Sequence, residues 1–262
     1  MKLTVDGRTV FATTGGAEFD PARPAIVFLH GAGFDRTAWR LQTRWFAHHG
    51  RSVLAVDFPA HGWSDGPALE SIGAMADWTA RLIEAAGLKQ AALVGHSMGA
   101  LVALDCAGRH GDKVRALGLC GVAAEMPVHP EMLESAKANT VKVQELMTFW
   151  GMGNALHKGG MVSPGLWLRR ESLAVLAGNK PGVIHTDLAA CNAYKEAPAR
   201  AAAVTCPTVF VLGDGDLMTP APKAKALVAA IAGSRAVTIP DCGHFMMVER
   251  PDETLEALKA CV

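Results

Sequence analysis

Gly95-His96-Ser97-Met98-Gly99 follows the apolar run Ala91–Val94 and precedes a helix-forming stretch from Ala100 to His110. A serine in a G-x-S-x-G string between strand and helix is a nucleophile elbow. The turn is so sharp that it excludes neighbouring side chains and lifts the Ser97 Oγ above the sheet edge. The helix that follows points its first N–H groups at the same spot. Such an arrangement suits attack on a carbonyl, with backbone donors taking up the negative charge. Upstream, His30-Gly31-Ala32-Gly33 closes the apolar run Ala25–His30. The N–H groups of Ala32 and Met98 are the candidate oxyanion donors, although a Gly-rich turn with no such role has the same composition.

A serine nucleophile needs a base, and the base needs an acid to orient it. Gly213-Asp214-Gly215-Asp216 follows the run Thr208–Gly213, and Asp241-Cys242-Gly243-His244 follows the short run Ala236–Ile239 by one residue. The chain order Ser97, Asp216, His244 is one of the orders in which such triads occur. Asp214, which could instead make a local turn bond, and Glu125, just past the run Val114–Cys120, are the competing acids. Among the other histidines, His48, His49 and His110 suit helix ends, His61 suits a turn after Pro59-Ala60, and His96 is a pocket candidate.

These residues need a scaffold that brings several strand ends together. Residues 1–14 predict a hairpin, with Lys2–Val5 and Thr9–Thr13 joined at Asp6-Gly7. Short apolar runs then alternate with helical patterns: Asp35 capping a helix from about Arg36, Ser71–Ala86 ended by Gly87, and the helix after Ser97. That alternation predicts parallel strands buried on both faces. It pauses before Thr208–Gly213 and resumes with helices near Ala221–Ala232 and after Pro251. The expected organisation is a core of residues 1–121 and 205–262, with 122–204 inserted as a helical cap. Within the insertion, helices are expected near Pro130–Trp150 and Ser163–Leu176. Met126, Met132, Met147, Trp150, Met152, Met161 and Trp167 enrich it in adaptable apolar side chains. More than half suit the insertion's own core; Met126, Met147, Trp150 and Trp167, with Phe34 and His96, are the pocket candidates.

The chain has 262 residues, 50% of them hydrophobic, with 25 Lys+Arg against 25 Asp+Glu. This excludes a disordered chain, and the balanced charge with no basic run argues against nucleic acid or an anionic membrane as partner. A small-molecule substrate is the expected partner, bound by a monomer or homodimer. The six cysteines have no zinc-type spacing, so reduced thiols and a cytoplasmic protein without metal or cofactor are expected. No apolar stretch approaches the ~18 residues of a membrane span.

Over nearly its whole length the chain resembles the α/β-hydrolase superfamily, in the branch with a helical cap. The resemblance rests on LHGAG at 29–33, DFPAHGWSD at 57–65, GHSMG at 95–99, GDGDLMTP at 213–220 and GHFMMVERP at 243–251. Ala60 departs from the pattern, since similar proteins often have Gly there. The resemblance implies a mostly parallel, doubly wound sheet with an antiparallel N-terminal hairpin, Ser97 as nucleophile, His244 as base and Asp216 as acid. The expected activity is that of a serine hydrolase (carboxylesterase-like), cleaving small carboxylic esters or thioesters with an apolar acyl or aromatic part. The alternatives are C–C bond hydrolysis of a β-diketone, a cofactor-free perhydrolase or acyltransferase, and a hydrolase-fold ligand receptor.

Overall fold

Asp6 and Gly7 both adopt positive φ, 51° and 72°, in the computed structural model, which describes residues 1–157 and 167–262. Their turn closes the expected hairpin between β1 (Lys2–Val5) and β2 (Arg8–Thr13). Six strands follow among the described residues: β3 (Ala25–Leu29), β4 (Ser52–Val56), β5 (Ala91–His96), β6 (Val114–Cys120), β7 (Thr208–Gly213) and β8 (Arg235–Ile239). The sheet order is β1-β2-β4-β3-β5-β6-β7-β8, parallel from β4 to β8. Every residue of β3, β4, β5 and β7 is buried, which is why these strands read as continuous apolar runs. Because the strands are parallel, the loops after β3, β5, β7 and β8 open at one edge of the sheet.

Helices cover both faces. Asp35 caps a short 3₁₀ turn at Arg36–Trp39 that leads into α1 (Arg40–His48), and Ser71 caps α2 (Ile72–Ala85). Next comes α3 (Met98–Arg109), buried at ten of its positions, Met98 to Ala107. Between β6 and β7 lie α4 (Pro130–Lys137), α5 (Val141–Gly151), α6 (Asn154–His157), α7 (Leu168–Ala177), α8 (Val183–Ala193) and α9 (Ala197–Ala203). The chain ends through α10 (Lys225–Ala230), α11 (Met246–Glu249) and α12 (Pro251–Lys259).

The helix expected over Pro130–Trp150 is two helices, because Asn139 takes φ 52° and breaks the run. The one expected near Ala221–Ala232 is a 3₁₀ turn at Ala221–Ala224 continued by the shorter α10. Only the later part of the one expected at Ser163–Leu176 is described, as α7; Met161 lies outside the described residues. Among the described residues, no helix is long and apolar enough to cross a membrane, and the six cysteines are unpaired.

Candidate active site

Ser97 sits between β5 and α3 with φ 53° and ψ −115°, a conformation that side chains rarely adopt. Such a residue stores ~1–3 kcal/mol of strain, which the surrounding packing must offset. Its N–H donates to the Cys120 carbonyl at 2.9 Å, and its own carbonyl accepts from Ala100 N–H at 2.9 Å. The flanking glycines are required by close approach: a Cβ on Gly95 would strike the Gly99 backbone, and one on Gly99 would strike the backbone of Leu29. Among the described residues, neither the Ala32 nor the Met98 N–H has a protein acceptor. Both belong to loops at the same sheet edge.

His244 follows β8 and is 2% exposed. Its backbone N–H donates to the Gly151 carbonyl at 2.7 Å, and its ring Nδ1 donates to Asp216 Oδ2 at 2.8 Å. Asp216 also accepts from the Met218 and Thr219 N–H groups, both at 2.8 Å, and from Thr219 Oγ1 at 2.7 Å. Burial pushes the Asp216 carboxyl up, but His244 and the Thr219 bonds outweigh it and hold the pKa at about 2. A carboxylate that stays charged keeps the His244 proton on Nδ1, leaving a lone pair on Nε2. Nε2 is buried and, among the described residues, has no hydrogen-bond partner.

Ser97 and His244 line one cavity of about 370 Å³. The sequence-predicted Ala32, Phe34, His96, Met126, Met147 and Trp150 line it too. Met98 contributes its backbone at the elbow, its side chain being fully buried. Trp167 is a correction: it is 65% exposed just before α7, whose buried face is Leu168, Ser172 and Leu176, and it is not in the cavity wall. Neither competing acid reaches His244: Asp214 accepts from Cys242 N–H at 3.3 Å, and exposed Glu125 lies 3.6 Å from Lys195 Nζ. Thr219, Phe245 and His129 line the cavity but have no individual signal in the sequence. His129 accepts from Glu131 N–H at 3.3 Å and packs edge-on to Trp150.

Buried polar groups frame these loops. His96 Nε2 donates to the His244 carbonyl at 2.8 Å, and burial beside His244 keeps its pKa well below the ordinary value, so it is neutral. Glu249 accepts from the N–H groups of Gly153, Gly243 and Phe245 at 3.0, 3.0 and 3.1 Å. His61, expected as a turn residue, does donate from Nδ1 to the Pro59 carbonyl at 3.0 Å, but its Nε2 also meets Asp187 Oδ2 at 2.8 Å. Burial disfavours the His61 cation, yet Asp187 and the Pro59 carbonyl outweigh it and raise the pKa.

A model of the alpha/beta hydrolase family matches residues 26–257 of the chain. The pimeloyl-[acyl-carrier protein] methyl ester esterase of Chromobacterium violaceum is 31% identical over 254 residues, covering 90% of this chain and 92% of that one. A Klebsiella pneumoniae protein named as a carbamate hydrolase is 28% identical over 243 residues, covering 88% of each. In structure, the enol-lactonase from Burkholderia xenovorans superposes with a TM-score of 0.89 at 21% identity, covering 99% of this chain and 98% of that one.

Proposed function

The chain belongs to the alpha/beta hydrolase family and is a hydrolase; from that premise we propose that it cleaves small carboxylic esters or thioesters through an acyl-enzyme on Ser97. The observation that carries this reading is the buried Asp216–His244 pair, whose free ring nitrogen belongs to the cavity that Ser97 lines. In the proposed reaction the Ser97 Oγ attacks the substrate carbonyl while His244 Nε2 takes its proton. The oxyanion accepts from the N–H groups of Met98 and Ala32, each worth about 3–4 kcal/mol to the transition state in comparable sites. The tetrahedral species collapses, His244 returns the proton to the departing alkoxide or thiolate, and an acyl-Ser97 ester remains. Water, deprotonated by His244, then releases the carboxylic acid and regenerates Ser97. Asp216 holds the imidazole in the productive tautomer and balances its transient charge.

The cavity walls support this substrate class. Met126, Met147, Trp150 and Phe34 offer an apolar surface, and a cavity of about 370 Å³ falls at the small end for ligand pockets. We read 122–204 as a cap that supplies most of this surface, so the acyl or aromatic part lies against it. The related methyl ester esterase supports ester chemistry.

The test is a fluorophosphonate probe together with p-nitrophenyl esters from acetate to decanoate, applied to wild type and Ser97→Ala. Labelling at Ser97 and a fall in ester turnover of at least ~10³-fold in the variant are expected. Labelling without ester turnover would move the chemistry to C–C hydrolysis or transfer to another acceptor. Absence of labelling in folded protein would remove the nucleophile and leave the receptor reading.

A further inference from the structure

We propose that Asp187 and Asn179, both contributed by the helices between β6 and β7, are positioning residues that hold the Ala32 loop in its oxyanion-binding conformation. The proposal rests on the acyl-enzyme reading above. Its starting point is the turn Gly31-Ala32-Gly33-Phe34, closed by a bond from Phe34 N–H to the Gly31 carbonyl at 3.1 Å. Gly33, the third residue, has φ 67°, while Ala32 is not among the positive-φ residues, so this is a type II turn. Type I and type II turns differ by rotation of the central peptide, here Ala32–Gly33, so outside contacts to Gly33 bear on which form the turn adopts next to the Ala32 N–H.

Those contacts come from across the molecule. The Gly33 N–H donates to Asp187 Oδ2 at 2.8 Å, and the Gly33 carbonyl accepts from Asn179 Nδ2 at 2.6 Å. Asp187 is on α8; Asn179, in the turn after α7, also donates to the last carbonyls of that helix. A Cβ on Gly33 would meet Ile184 of α8 and Leu176 of α7 at 3.0 Å, so the same two helices pack directly on the loop. Both polar ends of Gly33 and its α-carbon are therefore fixed by the segment that roofs the cavity, not by the sheet that carries the loop.

Asp187 is fully buried, and among the described residues its Oδ1 has no partner while its Oδ2 serves two donors. A buried carboxylate left half satisfied is a poor way to gain stability alone. The second donor, His61 Nε2, belongs to the loop after β4, and because Nδ1 is already committed to the Pro59 carbonyl, the contact to Asp187 requires a shared proton. The carboxylate thus joins three segments around the candidate oxyanion donor.

The test compares Asn179→Ala, Asp187→Ala and Asp187→Asn with wild type in melting temperature, ester kcat and KM, and the Ki of an aryl boronic acid that mimics the tetrahedral species. Misplacing one oxyanion donor predicts a kcat about 10–100-fold lower with KM within about threefold. The boronate Ki should rise by the factor that kcat/KM loses. Asp187→Asn, which keeps an acceptor for Gly33, should recover most of the loss in Asp187→Ala. Wild-type kcat in folded Asn179→Ala, or reduced kcat with an unchanged boronate Ki, would overturn the proposal. Asn179 is half-buried and its variant keeps the test alive if Asp187→Ala does not fold. Wild-type protein without Ser97-dependent turnover would instead bring down the acyl-enzyme reading, and this inference with it.

Discussion

Thr219 donates its hydroxyl to the same Asp216 oxygen that His244 Nδ1 uses, and lies 3.2 Å from that ring nitrogen. It helps keep Asp216 ionised and divides one oxygen between two donors, which fixes the direction of both. Asp216 has a folded-state pKa of about 2, below the ordinary carboxylate value, so its contribution to stability is present above that ordinary value and disappears as pH falls toward 2. Thr219→Val keeps the shape and removes the hydroxyl. The expected result is that acid unfolding begins at higher pH than in wild type, read from urea midpoints between pH 2 and 5. Ester kcat should fall about 3–10-fold, the worth of roughly one hydrogen bond to a charged group when part of it is recovered by solvent. An unchanged acid limb would mean that the threonine contributes nothing to the carboxylate's charge.

At the level of elements, the strands and the elbow were legible because each is written in local sequence: unbroken apolar runs for β3, β4, β5 and β7, Asp6-Gly7 for the hairpin, and paired glycines around Ser97. What could not be read locally is what tertiary contacts decide. The break at Asn139, the helices α6, α8 and α9, and the bonds of Asp187, Asn179 and Glu249 to distant backbone leave no periodic trace. Ala60 lies between the two cases. It departs from the glycine common in similar proteins, yet it holds φ 72° and is buried, so the loop keeps a glycine-like backbone around an alanine. The left-handed region costs such a residue ~1–2 kcal/mol, while glycine would cost ~0.4–1 kcal/mol in unfolded-chain entropy. Ala60→Gly should therefore stabilise by about 0.5–1 kcal/mol and raise Tm by about 1–4 °C with turnover unchanged. A lower Tm would show that the Ala60 methyl contributes more packing than its backbone costs.

Across the whole molecule, the loop that carries His244 is bonded to the segment between β6 and β7. The His244 N–H reaches the Gly151 carbonyl, and Glu249 gathers the N–H groups of Gly243 and Phe245, on either side of His244, with that of Gly153 beyond α5. One buried carboxylate thus ties the candidate base to the segment between β6 and β7, as Asp187 ties the candidate oxyanion loop to it. Glu249→Ala would strand these N–H groups in a site from which water is excluded, at a cost of about 3 kcal/mol or more, lowering Tm by about 6–12 °C. The pH dependence gives this a sign. Burial raises the Glu249 pKa above its ordinary value and the three N–H bonds only partly offset it. A raised carboxyl contributes its full stability below the unfolded-state pKa and loses part of it as pH rises through the folded-state value. The stability gap between wild type and Glu249→Ala, measured by urea unfolding, should therefore be wider at pH 4 than at pH 8. A gap that widens toward pH 8 would mean that the charged form is the one the fold prefers, with the backbone donors outweighing burial.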